Sequence, residues 1–345
     1  MPIRRGFFGG AINLLPEVTI NAATSVTESR ATFNATINGN LANTTIVFHY
    51  STASNFSSFT SVAGSGSGTG SFSSSATVAG LTKATVLDAA ATTYYVRAVV
   101  TSSIGSVTSG TTSFATWTLR QVVSATSSSF TVPTVAGVNP ANIPVLVLIG
   151  GGGGGAYGGG GGAGGLVVRS NVPFTGPNGT LSWSCGGGAG PGGTGGGNGG
   201  SGTSSTLSGI NFNAVSAGGG EGGYYLGRGG NLGAGDGPAY TGGSVHVINN
   251  KGTLNYWGGG GAGMDGNGGN AVLNAAGAGG PGNGFWGNGG GGGGVKNANG
   301  SQVGANAAVY NIGRGGQGGA NNATGSDRAA TSGGTGIVVF QYYGP

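Results

Sequence analysis

Across residues 17–116, short runs of β-branched and aromatic residues alternate with polar ones and are cut by Gly, Ser and Asn. A two-residue hydrophobic repeat bounded by turn formers is the pattern of half-buried strands. It predicts strands over 18–21, 31–38, 45–50, 59–63, 72–78, 93–101 and 106–114. Phe33, Ala35 and Ile37 share one face of the second; Tyr94, Val96, Ala98 and Val100 share one face of the sixth, with Tyr95, Arg97 and Val99 outward. Seven short strands in about 100 residues is the count of an immunoglobulin-like sandwich. In the junction that follows, Val122, Val123, Phe130 and Val132 suggest a strand pair. Residues 145–149 (Val-Leu-Val-Leu-Ile) then read as a wholly apolar strand buried on both faces, and His246 falls on a further strand near 245–248.

The stretch 92–100 (Thr-Thr-Tyr-Tyr-Val-Arg-Ala-Val-Val), followed by 102–109 (Ser-Ser-Ile-Gly-Ser-Val-Thr-Ser), resembles the last two strands of a fibronectin type III-like domain. The resemblance covers about 100 residues. It implies a leucine ahead of a corner tyrosine whose hydroxyl ties back to the backbone, roles that Leu81 and Tyr94 would fill. The 82–93 stretch between them is longer than the family's usual spacing.

Glycine divides the chain. Of 86 glycines, 12 precede Gly150 and 74 lie from there onward, about 38% of the last 196 residues. Glycine-rich runs at 150–165, 186–202, 218–223, 227–237, 258–269, 277–294, 313–319 and 333–336 are interleaved with variable pieces, including 166–185, 203–217, 244–257, 295–312 and 320–332. Such tracts usually form flexible linkers. A linker, however, has no use for Trp183, Tyr224, Tyr225, Tyr256, Trp257, Phe285, Trp286 and Tyr310, which stand at or near the ends of the runs. Val, Leu and Ile also remain frequent, unlike in disordered chains. The ordered alternative is a set of polyproline II helices, three residues per turn, packed closely enough through glycine for backbone N–H and C=O groups to pair between neighbours. Each glycine costs extra conformational entropy, so many helices must pair together.

The order of segments from Phe130-Thr131-Val132-Pro133 through 145–155, Leu166-Val167-Val168, 181–188 (Leu-Ser-Trp-Ser-Cys-Gly-Gly-Gly), 217–223 and the closing 333–342 resembles the glycine-rich domain of bacteriophage tail fibres and related adhesins over about 215 residues. The expected fold is therefore all-β: an immunoglobulin/fibronectin III-like sandwich over 17–116, then a glycine-rich domain over 117–345 of packed polyproline II helices framed by β-strands. The resemblance implies a virion tail fibre or surface appendage that attaches to the host through loops between glycine runs. Its partners would be other tail or fibre proteins through the N-terminal part, and a host surface glycan or outer-membrane protein. It implies a homo-oligomer, usually a homotrimer, although no coiled-coil heptads are present. A purely structural virion protein, a capsid decoration or fibre-linking component without receptor binding, is the alternative.

Candidate receptor contacts are the aromatics Tyr224, Tyr225, Tyr240, Tyr256, Trp257, Phe285, Trp286 and Tyr310, since rings at loop tips anchor sugars and proteins by stacking and apolar contact. The competing role is to staple the glycine runs internally. Residues 1–16 form an apolar–basic arm, with Ile3, Arg4, Arg5, Phe7 and Phe8 as candidates for docking onto another virion protein; a frayed terminus is the other reading.

Charge narrows the chemistry. Only 6% of residues are charged; the net charge of +5 comes from twelve scattered Lys and Arg against seven acids, so no basic stripe for nucleic acid is formed. Glycine-rich dinucleotide motifs match by abundance alone, with no helix following. Asp265 in the turn 264–270 is a single carboxylate, poor support for calcium. A polysaccharide depolymerase wants paired carboxylates, and no Ser/His/Asp set assembles, so neither enzyme nor cofactor is expected. The lone Cys185 rules out an intrachain disulfide and is expected as a small buried residue. Neither a signal-peptide h-region near the start nor an apolar run of transmembrane length is seen.

Overall fold

The computed structural model describes residues 14–131, 142–156, 159–173, 179–192, 197–209, 212–225, 228–236 and 330–345, with short strands and single positions between 239 and 322. Among these residues the protein is all-β, with twenty strands in six open sheets, none closed into a barrel. They divide into two compact units. The first holds the described residues up to Arg120 together with Tyr343–Pro345; the second holds those between 121 and 342.

The first unit contains β1 (Glu17–Thr24), β2 (Arg30–Asn38), β3 (Thr44–Ser51), β4 (Thr60–Ala63), β5 (Ser71–Ala79), β6 (Thr93–Ser102), β7 (Ser106–Thr108) and β8 (Thr112–Ala115). One sheet runs β1-β2-β5; the other runs β4-β3-β6-β7, with β8 also on β6. The alternation in sequence decides what lies between them. Ala31, Phe33, Ala35 and Ile37 of β2 and Ala76 and Val78 of β5 share one core with Ile46 and Phe48 of β3 and Tyr94, Val96, Ala98 and Val100 of β6. Phe33 sits at its centre, its ring 5.4–5.9 Å from those of Phe48, Tyr50 and Phe114. Truncating such a ring to alanine costs about 3–5 kcal/mol through lost transfer energy and the cavity left behind.

Two details of this unit follow from single residues. The Tyr94 hydroxyl accepts the Thr82 N–H at 2.9 Å, and both Leu81 and Tyr94 are buried, so the corner forms despite the long 82–93 stretch. The segment 106–114, expected as one strand, is two. Val99 pairs with Thr108 but Val96 with Thr112, so the partner of β6 uses one residue more than β6 does. The extra residue makes a bulge. Ser109 fills it: its N–H donates to the Ala98 carbonyl and its Oγ accepts the Ala98 N–H, both at 2.9 Å.

The remaining strands are β9 (Thr118–Ser124), β10 (Ser128–Thr131), β11 (Asn142–Ile149), β12 (Leu166–Pro173), β13 (Thr180–Ser184), β14 (Ser205–Gly209), β15 (Phe212–Ala217), the hairpin β16 (His246–Asn250) and β17 (Thr253–Trp257), the parallel pair β18 (Val295–Lys296) and β19 (Asn321–Asn322), and β20 (Ile337–Gly344). Sheets β12-β11-β20-β9 and β10-β13-β14-β15 enclose a core of Ile143, Leu146, Leu148, Val167, Leu181, Trp183, Leu207, Ala217, Val338 and Phe340. The expected strand pair at Val122 and Phe130 does not form. β9 takes an edge beside β20, while β10 pairs with β13, Phe130 opposite Leu181. A lone hairpin is marginal. As edges of separate sheets, both residues instead pack against this core, where Phe130 lies 4.6 Å from the Tyr342 ring. Val132 lies outside the described residues. Within 145–149, Leu146 and Leu148 bury one face; on the other, Val145 and Val147 are half-buried and Ile149 is buried, the last two in a second cluster with Ala163 and Ile337.

The glycine runs are continuations of these strands. β11 leads into 150–156, and 159–165 returns into β12; β13 leads into 186–192, and 199–203 returns into β14; β15 leads into 218–225, and 331–336 leads into β20. Residues 150–156 show how they are held. Gly150, Gly153 and Ala156 donate to the carbonyls of Gly165, Gly162 and Gly159. Gly151 and Gly154 donate to Thr203 and Gly200, and Gly152 and Gly155 to Gly334 and Thr331, all at 2.8–3.0 Å. The amides thus point in three directions in turn, with a repeat of three residues. In the other sense, Gly220 and Gly223 donate to the carbonyls of Gly151 and Gly154, and Ala189 and Gly192 to those of Gly152 and Gly155. Among the described residues one run therefore pairs with five neighbours, three antiparallel and two parallel. A Cβ at Gly151, Gly153, Gly154 or Gly162 would stand 1.9–2.1 Å from a facing carbonyl oxygen, so no side chain fits there.

Candidate functional site

The three-residue repeat also decides which side chains meet at the rim of the glycine-run layer. Gly218, Glu221 and Tyr224 all donate toward one neighbour, to the carbonyls of Ala234, Asn231 and Arg228. Glu221 and Tyr224 are thereby stacked along one edge, against Arg228 and Asn231, themselves three residues apart. The Tyr224 hydroxyl donates to Glu221 Oε1. Arg228 Nη2 donates to the same oxygen at 3.2 Å and to the Tyr224 hydroxyl at 3.1 Å, while its guanidinium carbon lies 4.3 Å from the Tyr224 ring centre. Arg228 Nη1 reaches Asn231 Oδ1 at 3.0 Å, and the Asn231 N–H donates to Glu221 Oε2 at 3.0 Å.

Partial burial acts to raise the pKa of Glu221, but hydrogen bonds from Tyr224 and the Asn231 N–H, with the Arg228 charge, outweigh it and hold the carboxyl below its ordinary value. The hydrogen bond to Glu221, then burial, pushes the Tyr224 hydroxyl above its ordinary value. Near neutral pH Glu221 is ionised and Tyr224 keeps its proton, so the trio is an internally bonded staple. Glu221 is held as an acceptor and has no proton to give.

Tyr225, the next residue, is 42% exposed, and its N–H donates to Asn198 Oδ1 at 2.8 Å. Asparagine plays the same part elsewhere on the rim. The Oδ1 atoms of Asn231, Asn267 and Asn270 accept from the backbone N–H groups of Gly242, Thr241 and Ser244 at 2.8–3.1 Å. A carboxamide stands in for a main-chain carbonyl, and the step from Asn267 to Asn270 keeps the three-residue repeat. Sequence reasoning passed over these residues; the signal was Asn recurring at that spacing inside glycine runs. Asp236 closes the other end of its run. It pairs with Arg169 and accepts the Val168 N–H at 2.9 Å, while its own N–H donates to the Leu166 carbonyl.

Of the expected contact residues, then, Tyr224 is half-buried in the staple and Tyr225 is exposed beside it. Tyr256 and Trp257 stand on β17, opposite Val247 and His246 of β16. Tyr240, Phe285, Trp286 and Tyr310, the arm residues Ile3, Arg4, Arg5, Phe7 and Phe8, and Asp265 lie outside the described residues. Trp183 belongs to the core, its indole N–H donating to the Thr126 carbonyl at 2.9 Å. Cys185 is half-buried rather than buried, because it stands just past the end of β13. Its Sγ donates to the Ser124 carbonyl at 3.1 Å, and burial raises its pKa. Among the described residues no three of His, Cys, Asp and Glu converge as a metal-binding group, and no helix is long and apolar enough to cross a membrane. No protein-family model matches the chain, and no curated protein sequence is significantly similar to it.

Proposed function

We propose that this protein is a bacteriophage virion appendage, a tail fibre or adhesin, that binds the host cell surface through the rim of its glycine-rich unit. In this reading the first unit is a fibronectin III-like sandwich and the glycine runs are packed polyproline II helices. The observation that carries it is the three-residue hydrogen-bond repeat joining 150–156 to five neighbours. Three residues per turn is the period of polyproline II, which has no internal hydrogen bonds and must pair outward. A body held by its own main chain can present exposed side chains at run ends and loops for recognition. Tyr225, exposed beside a locked Tyr224–Glu221–Arg228 staple, is such a position. Large exposed aromatics on a rigid support lose little entropy on binding. Several copies per particle would turn weak contacts into firm attachment.

The test is adsorption. Purified protein, fluorescently labelled, should bind cells of a susceptible host and compete with particles for adsorption, and Tyr225→Ala should weaken both. A label at a distal tip in images of intact particles is expected. Label on a shell or shaft, with no cell binding across susceptible hosts, would replace this reading with the purely structural one.

A further inference from the structure

The first unit carries a cleft of about 310 Å³ where the 52–59 loop turns away from β3 beside the Tyr94 corner. Tyr50, Ser51, Ser58, Phe59, Thr60 and Tyr94 are among its lining residues, and no lining residue is charged. Ligand pockets run from about 300 to 1,000 Å³, so this one suits a single small unit.

Its wall is built before any ligand arrives. Ser51 Oγ donates to the Ser58 carbonyl at 2.5 Å and accepts the Ala53 N–H at 2.9 Å, which closes the loop into a fixed turn. Phe56 is held at a φ of 52°, a conformation bulky residues rarely adopt. It is buried under Arg97, whose guanidinium carbon lies 4.3 Å from its ring centre. Phe59 is 46% exposed, yet its ring is fixed from the outer sheet face by His49, stacked at 4.2 Å and 24°, and by Arg97 at 5.6 Å. A bulky residue strained at φ > 0 persists only where its surroundings over-determine it, and such places cluster at ligand clamps.

We infer that this cleft is a binding site for one neutral sugar residue of a glycan, with Phe59 as its stacking platform. A pyranose presents a face of polarised C–H groups, which an aromatic ring attracts through its negative face, and a rim of hydroxyls. The exposed Ser58 and Thr60 hydroxyls supply matching donors and acceptors. The Tyr94 hydroxyl, already accepting from Thr82, keeps its own hydrogen to give. An anionic sugar would find no charged partner among the lining residues. The inference is independent of the host-attachment reading, because it concerns the other unit.

Full-length protein should be applied to an array of neutral and anionic glycans, and binding checked by saturation-transfer and chemical-shift titration with methyl hexosides. Neutral hexose- or N-acetylhexosamine-terminated glycans should bind, shifting Phe59 and Tyr94 ring resonances. Phe59→Ala should weaken binding by about tenfold or more, Phe59→Trp should retain it, and Tyr225→Ala should leave it unchanged. Absence of neutral glycan binding, a preference for anionic glycans, ring resonances that do not move, or affinity that survives Phe59→Ala would each overturn the site. Cell binding lost only in Tyr225→Ala, with the sugar titration intact, would separate the two proposals.

Discussion

At Gly153 a methyl group would meet the Glu221 carbonyl oxygen at 2.0 Å, and main chain cannot swing aside as a side chain can. At Gly190, in a neighbouring run, an added Cβ meets nothing within 4 Å. The same substitution should therefore have opposite outcomes. Gly153→Ala should destabilise by about 3 kcal/mol or more through overpacking. Gly190→Ala should be neutral or stabilise by about 0.4–1 kcal/mol, since it only narrows the unfolded ensemble. Urea titration of the two variants checks this; equal effects would mean the runs are not closely packed. His49 offers a second residue-scale test. Burial, then the Arg97 charge opposite it on β6, holds its pKa below the usual histidine value; Phe59 at the end of the 52–59 loop and Ser61 of β4 are its other neighbours. A depressed folded pKa means the unfolded chain takes up the proton first. The stability tied to neutral His49 is full above about pH 6.5 and is lost as pH falls through the folded pKa. Unfolding midpoints between pH 7 and 5 should fall less in His49→Phe than in the native chain. Residue-level legibility was uneven for a related reason. Tyr94 could be placed because alternation and a corner motif both marked it. Asn198 and Asn231 could not, because their role is to replace a carbonyl on a neighbour that sequence order does not reveal.

The strand segments of the first unit were readable to within a residue or a few at their outer ends because their alternation sets an apolar face, and a slip of one residue would turn that face to water. The break at Ser109 was not readable, since a bulge adds a residue without disturbing the alternation on either side. In the second unit the strand at 145–149 announced itself by composition, but the pairing of the glycine runs did not. Every glycine presents the same donor and acceptor, so register is set at the ends, where a strand hands over to a run. Ser205 is one such hand-over. It is fully buried, donates to the Ile149 carbonyl at 2.6 Å and accepts the Gly186 N–H at 2.8 Å, bridging the last residue of β11 to the run that follows β13. Ser205→Ala would take a hydrogen-bond partner from both buried backbone groups, each loss costing about 1–3 kcal/mol. A loss of roughly 2–5 kcal/mol is expected in denaturant unfolding, large for a single hydroxyl. A loss below about 0.5 kcal/mol, the range of ordinary surface changes, would show that water reaches this junction.

The two units bury different kinds of surface, and calorimetry can tell them apart without any ligand. The first is held by apolar side chains around Phe33 and Phe48. The second adds to its apolar core a layer in which run meets run through peptide groups. Unfolding an ordinary chain raises the heat capacity by about 12–15 cal/mol/K per residue, because exposed apolar surface contributes positively and outweighs exposed polar surface, which contributes negatively. For 345 residues that average gives about 4–5 kcal/mol/K. Melting the glycine runs exposes N–H and C=O groups with almost no side-chain hydrocarbon attached, so its contribution is small or negative. The whole chain should therefore unfold with a heat-capacity change clearly below that range. Its enthalpy should remain substantial, since many backbone hydrogen bonds are broken. Free tethers would give a low heat-capacity change too, but they would bring no enthalpy and their amides would exchange at free-peptide rates. Scanning calorimetry of the intact protein, paired with hydrogen exchange at Gly151 through Gly155, distinguishes the cases. A low heat-capacity change with those amides protected to the level of β11 is the expected result; fast exchange there would show that the runs are not bonded to one another in solution.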